Sequence, residues 1–410
     1  MQRVLVIGGG FAGLWSALSA ARRAHELGVE AEVVLVNRDA NHSIRVRNYE
    51  DDLPSTLVPL PLVLDPVGVK LVIGEVTGID TANRCVTVAS EGGQTVLAYG
   101  KLVVCSGSAL TRPDMPGLAA HSFDVDTHAA ALRLQAHIAA LASAPRSPGR
   151  FTALVVGSGA TGIEIATELP ARLRAAAAAT SDPSAAGEVR VILADRSPHI
   201  ANRLGGARPV VERVCGELCI ELLTSVALKS IDENGVTLGD GTRLAASTVV
   251  WCAGMAASPL NAHVSSDRDA QGRLYVDSFL RVKGVDDVFA AGDAAHILID
   301  GERPSVMSCQ HARPMGRYAG HNAMAALFGD ELHALSIDWY TNIIDLGPTG
   351  AVYTEGWDRI VVAEGASAKR TKTIINCERI YPPLTGDKDQ ILAASTLALQ
   401  RPPSLLPPSA

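Results

Sequence analysis

Two sets of glycines share one spacing. Gly8, Gly10 and Gly13 form G-x-G-x-x-G in VLVIGGGFAG, with Phe11 and Ala12 inside the motif; Gly157, Gly159 and Gly162 repeat it in LVVGSGATG. The chemistry that suits this spacing is the cradling of a pyrophosphate. The first glycine permits a tight turn, the second lets backbone approach the phosphates with no Cβ in the way, and the third lets the next helix pack on the strand. The helix N-terminus then offers free N–H groups and the positive end of its dipole to the anion. A second kind of residue ends the apolar strand that follows each set. In VILADR this is Asp195, a carboxylate that can accept from a ribose diol and repels a 2′-phosphate, which favours NADH over NADPH. Arg196 beside it offsets part of that repulsion. In VVLVNR the place is held by Asn37, with Arg38 next to it. An amide can bond a ribose without the charge assistance of a carboxylate, or it can simply cap the strand end.

Other residues fall where such a fold would use them. Each half later ends in a strand that runs into a small-residue turn, LVVCSGS at Gly107 and VVWCAG at Gly254. VDDVFAAGDAAH puts Gly292 and Asp293 at a further strand end, where a lone aspartate would serve as a turn or helix cap. Glu164 opens the helix after the second glycine set; it either points at a bound dinucleotide or complements the helix dipole. In SIRVRNY, Arg45 or Arg47 can offer forked donors to a pyrophosphate, unless the loop is a solvated basic one. His42 and His311 stand alone and read as structural. Nothing resembles a Ser/His/Asp set or a metal site.

Rigid elements must hold these residues. One glycine motif is weak evidence; two, each with an apolar run before and a helical stretch after, are much stronger. Residues 4–7, 32–37 and 189–195 read as strands, and 14–27 and 163–173 as helices. The fold class expected is α/β, with two Rossmann-like dinucleotide-binding domains and a small C-terminal α+β region. At 410 residues and 47% hydrophobic, the chain can build two or three cores, which excludes a disordered polypeptide. Thirty-six basic residues against 43 acidic ones leave a net charge of −7, which argues against nucleic acid as a partner. Seven cysteines show no CxxC and no metal-ligand spacing, so a reducing, cytoplasmic setting and no metal are expected. They read as small buried hydrophobes, with Cys215 and Cys219 facing core from one helical turn. No signal-peptide pattern opens the chain, and no apolar run reaches the ~20 residues of a membrane helix.

With the glycine sets and Asp293 in this order, residues 1–330 resemble the two-dinucleotide-domain flavoproteins, the pyridine nucleotide-disulfide oxidoreductase fold. The resemblance implies that the first set, Gly292 and Asp293 hold FAD, the aspartate on its ribityl chain or pyrophosphate, and that the second set holds NAD(P)H. Within that family the chain most resembles the type II NADH:quinone dehydrogenases. Those carry GxGxxGxE, matched here by Glu164, and an AQxxxQ-G segment beside the flavin. In SCQHARPMG, Gln310 matches the first glutamine, Cys309 replaces the alanine and Pro314 replaces the second glutamine, a departure that bears on quinone specificity. By this resemblance Glu164, Gln310 and Cys309 are the candidate catalytic residues. The loop 38–60 lacks the CxxxxC of disulfide reductases.

The implied domains are an FAD-binding domain split between 1–117 and 264–333, an NAD(P)H-binding domain at 118–263, and a C-terminal region at 334–410. That last region has apolar stretches at 342–346 and 360–363, a hairpin turn at TEGWDR, and a basic cluster of Lys369, Arg370 and Lys372 expected to be solvated. It ends in one short helix at 389–400 and a Pro-rich end, RPPSLLPPSA, expected to fray. The resemblance further implies hydride transfer from NADH to flavin N5, with the helix N-terminus near Gln310 stabilising charge on the flavin. Electrons then pass to a small-molecule acceptor, a quinone first. A homodimer and a weak peripheral contact with the cytoplasmic membrane are left open. So are three rivals: a ferredoxin- or oxygenase-linked reductase, a metabolite-tailoring flavin oxidoreductase, and an NADH-responsive binding protein like the apoptosis-inducing-factor relatives.

Overall fold

A computed structural model describes residues 2–403. The first apolar run becomes Arg3–Ile7, the central strand of a five-stranded sheet ordered Val288–Ala290, Lys101–Val104, Arg3–Ile7, Glu32–Asn37, Lys70–Ile73. Every pairing in it is parallel. Such strands are covered on both faces, and this is why they read as continuous Val, Ile and Leu runs. A second parallel sheet is ordered Ile220–Leu223, Arg190–Ala194, Thr152–Val156, Thr248–Trp251. The first sheet takes its outer strand from a point far along the chain, whereas the second is built from one continuous stretch.

Each sheet places its glycine motif between its central strand and a helix, Phe11–Leu27 or Ala160–Ala178. The second helix is longer than its sequence pattern suggested. It continues through Pro170, which is buried against the core. Phe11–Leu27 also meets the helix Cys309–Phe328 at unusually short range. A Cβ on Gly316 would lie 2.2 Å from the Ala12 carbonyl oxygen, and one on Gly320 would lie 2.0 Å from that of Ser16. These two glycines, one turn apart, are what lets the helices touch.

An antiparallel ribbon of Ser108–Leu110 with Met255–Ala257 ties the two halves together just after Gly107 and Gly254. The C-terminal region is an antiparallel meander of Thr341–Asp345, Ala351–Glu355 and Ile360–Glu364. The hairpin turn expected at TEGWDR joins its second and third strands. Ile344, Leu346 and Val352 pack into the core of the second half, so this sheet is anchored there.

The end of the chain departs from expectation. The final helix covers only Lys388–Ala394. The residues after it run as a strap fixed by arginines: Arg22 Nε donates to the Ser395 carbonyl (3.2 Å), Arg317 to Ala398 (3.1 Å) and Arg379 to Arg401 (2.7 Å). Arg401, the first residue of the segment expected to fray, is therefore held in place; residues 404–410 lie outside the described residues. Among the described residues no helix is long and apolar enough to cross a membrane.

Candidate functional site

The two glycine motifs fold alike. Gly8 and Gly157 have φ of +94° and +104°, a region side chains rarely adopt. A Cβ on Gly13 or Gly162 would lie 1.6 or 1.8 Å from the carbonyl oxygen of Gly8 or Gly157. The chain itself demands these four. Gly10 and Gly159 are different. Their φ values of −73° and −72° suit any residue, and a Cβ on either would meet nothing within 4 Å. Neither strain nor packing within the described residues requires glycine there, and the space beside each is open. Each precedes a helix with no side-chain cap, leaving terminal N–H groups and the dipole open to an anion. The shape and the donor chemistry fit a pyrophosphate at both places.

Behind each cradle the strand-end residue acts as a brace. Asn37 Oδ1 accepts from Gly9 N (2.8 Å), and its Nδ2 donates to the Asp39 and Asn41 carbonyls. Its amide thus serves the loop and strand end. Asp195 Oδ2 accepts from the backbone and hydroxyl of Ser158, both at 2.7 Å, and Oδ1 from Ser197 N at 2.8 Å. Burial opposes the Asp195 charge, but these hydrogen bonds outweigh it and hold the carboxyl below its usual range.

A cavity of about 1310 Å³ brings together Gly8, Gly10, Phe11, Ala12, Asn37, Arg38, Arg45, Gly107, Glu164, Asp293, Cys309 and Gln310. Gly13, Gly157, Gly159, Gly162, Asp195, Gly254 and Gly292 stand off its wall, although Ala160 and Thr161, which start the second helix, reach it. Gly292 (φ +68°) backs onto Ala12, and Gly254 (φ +84°) lies against Thr111. Asp293 accepts from Ser108 Oγ (2.6 Å), with Arg45 Nη1 at 4.0 Å, and burial pushes its carboxyl upward. Arg45 also pairs with Asp126. Arg47 does not reach the cavity; it is buried on Glu50 and Tyr381, because its side chain turns towards the C-terminal region.

The carboxylate of Glu164 is buried at the cavity wall and forms an ion pair with Lys372, while its Oε1 also accepts from Asp345 N at 3.2 Å. Burial raises the Glu164 pKa and Lys372 opposes this. Next to this pair, Lys369 grips both oxygens of Asp345 (2.5 and 2.6 Å), and Tyr49 O–H donates to the same carboxylate (3.1 Å). The basic cluster is therefore no solvated face. Lys372 is 5% exposed, on the same buried side of its helix as Ala368 and Thr371. That helical spacing was the available signal, and the run of charges hid it.

Gln310 is pinned. Its side-chain amide donates to the Thr341 carbonyl (2.7 Å) and accepts from Thr341 N (3.3 Å), which fixes the first C-terminal strand to the helix start. Ser308 caps this helix by accepting from His311 N at 3.4 Å. Cys309 is half-buried, and burial pushes its thiol up despite Arg313, so it favours the protonated form. All seven cysteines are free. Cys219 is exposed while Cys215 is buried, so the pair does not share the core face; Cys219 lies past the helix end at φ +58°. His42 and His311 are buried, each pushed down to about 4, and each bonds main chain through Nδ1.

Comparison with known proteins gives a consistent picture. A family model described as pyridine nucleotide-disulphide oxidoreductase matches residues 2–316. An NADH dehydrogenase-like protein of Mycobacterium tuberculosis is 50% identical over 407 residues, spanning 98% of this chain and 100% of the relative. A type II NADH:quinone oxidoreductase of the same organism is 30% identical over 321 residues, 71% of this chain and 66% of the relative. Among solved structures, NDH2 from Plasmodium falciparum in complex with NADH superposes with a TM-score of 0.75 at 13% identity, covering 96% of this chain and 97% of the other.

Proposed function

Because the chain belongs to the pyridine nucleotide-disulphide oxidoreductase family, in its type II NADH dehydrogenase-like group, we propose that it passes electrons from NADH through FAD to a quinone-type acceptor. FAD and NADH are its cofactors, and bound FAD supplies hydride acceptance and electron release. The observation that carries the reading is the pair Gly10 and Gly159, which no contact within the chain requires to be glycine.

The residues have separable tasks. Gly8, Gly10, Phe11 and Ala12 hold the FAD pyrophosphate at the first helix start, with Gly292 shaping the backbone and Asp293 accepting from the ribityl hydroxyls. Arg45 keeps Asp293 and Ser108 in place, and Asn37 and Arg38 border the adenosine end. Gly157, Gly159 and Gly162 hold the NADH pyrophosphate, and Asp195 keeps that loop open and faces the adenosine ribose. Gly107 and Gly254 turn the two linking strands so that the cradles face each other. Glu164, oriented by Lys372, borders the nicotinamide end as a fixed hydrogen-bond acceptor. Gln310, with its amide on the Thr341 main chain, borders the acceptor. Cys309 contributes shape; its raised thiol opposes a redox role.

The test is anaerobic addition of NADH to the yellow protein. Loss of the visible flavin band, followed by rapid recovery with 2-methyl-1,4-naphthoquinone or a short-chain ubiquinone, is the expected outcome. Reduction by NADH with no quinone giving recovery would place the acceptor in another chemical class.

A further inference from the structure

One stretch of the cavity wall is built of arginines. Arg313 and Arg317, one turn apart on the Cys309–Phe328 helix, both lie over the Trp15 ring, 5.1 and 4.4 Å from its centroid. Arg379, from the widened turn Ile375–Arg379, lies within electrostatic reach of Arg313. All three line the cavity. Among the described residues none of them forms an ion pair; Arg317 and Arg379 donate only to main-chain carbonyls of the terminal strap.

Buried guanidinium groups without an anion are costly. Burial, then Arg317, disfavours the charge on Arg313 and pushes its pKa down to about 9. Burial, then Arg22, does the same to Arg317, to about 10. At either value the groups stay cationic at neutral pH. Arg313 Nε, Arg317 Nε, Trp339 Nε1 and Asn376 Nδ2 belong to cavity-lining residues, are buried without a partner, and are all donors. Arg313 lies within electrostatic reach of His42, whose Nδ1 meets the Gly9 carbonyl beside the first cradle, so part of its charge can serve the FAD pyrophosphate; the charge left for a second anion is that of Arg317 and Arg379, with the Trp339 and Asn376 donors in the same cavity.

We propose that the acceptor entering beside Gln310 is an anionic aromatic, bearing a carboxylate or an acidic enol, and that Arg317 and Arg379, aided by Arg313, hold its anionic group. This rests on the reading of the cavity as the acceptor's site. Guanidinium forks match a carboxylate in geometry as well as charge, and Trp339 and Tyr340 offer aromatic surface in the same cavity.

The probe is 2-naphthoate, which cannot be reduced here, with 2-acetylnaphthalene as its neutral counterpart, each titrated calorimetrically into the FAD-loaded full chain. The naphthoate is expected to bind more tightly than the ketone and to weaken with added salt. Its affinity is expected to fall about tenfold or more in Arg313→Gln and in the less buried Arg379→Gln, the loss typical of a charge-assisted hydrogen bond. Arg313→Lys keeps the charge and is expected to recover part of it. In turnover, the ratio of kcat/KM for 1,4-naphthoquinone-2-sulfonate over 2-methyl-1,4-naphthoquinone is expected to fall in the same variants; the intrinsic potentials of the two quinones cancel in that comparison. Equal affinity for the two naphthalenes, or unchanged naphthoate affinity in folded Arg379→Gln, overturns the proposal. Calorimetry needs no NADH, so failure of NADH to reduce the flavin would sink the oxidoreductase reading while the naphthoate result still decides the anion site.

Discussion

At the scale of single residues, the glycines separate into those the chain needs and those a ligand needs. Gly10→Val is expected to leave a folded protein by circular dichroism that purifies without yellow colour, since the added side chain enters the space of the pyrophosphate and meets no part of the chain at its Cβ. Gly13→Val, whose Cβ collides with the Gly8 carbonyl, is expected to damage the fold itself. If both variants retain flavin, the cradle is misassigned. Asp195→Ala is expected to narrow the preference for NADH over NADPH, read as the ratio of kcat/KM values, and to loosen the Ser158 loop it braces. The glycines and Asp195 were legible because their spacing encodes a backbone shape. Asn37 was legible only as a position, since whether its amide faces a ligand or its own loop depends on where Gly9 N–H comes to lie. The choice between Arg45 and Arg47 stayed open for a related reason: a loop sequence does not say which of two alternate arginines turns inward.

At the scale of elements, the parallel strands and their helices could be read from apolar runs and the C-terminal hairpin from its turn, but the way this third layer docks on the second half could not. The basic run at 369–372 looks like surface until the helix it lies on docks beside Glu164. The strand at Ala351–Glu355 has no strong pattern of its own and is ordered by the neighbours that flank it. The Glu164–Lys372 pair fastens this layer to the second half, and its energetics follow from burial. Lys372→Met would strand a buried carboxylate and is expected to cost about 3–5 kcal/mol in urea unfolding. Adding Glu164→Gln to it should restore most of that loss, because the uncompensated charge goes with it. A double variant no more stable than the single one would show that Lys372 acts through packing alone.

At the scale of the whole molecule, one cavity is walled by both halves, the C-terminal sheet and the terminal strap. Any ligand that fills it bridges pieces far apart in sequence. FAD is therefore expected to raise the melting temperature of the chain as its concentration exceeds its dissociation constant, by mass action, and to do so for Lys372→Met as well. A melting temperature indifferent to added FAD in flavin-free protein would contradict the bridging role. The overall α/β plan was open to sequence reading because it repeats; the strap was not, because a Pro-rich end gives no pattern for where it docks. The split of the first sheet also bears on how the protein is made. As the chain leaves the ribosome, the middle sheet has all its strands once residue 251 has emerged, and it can close while synthesis continues. The older sheet must wait for Val288–Ala290 to cover the edge of Lys101–Val104. The nascent polypeptide thus carries a second sheet with all its strands, its core still awaiting Ile344, Leu346 and Val352, beside an unfinished first sheet whose unpaired strand edge is open to wrong partners during that interval.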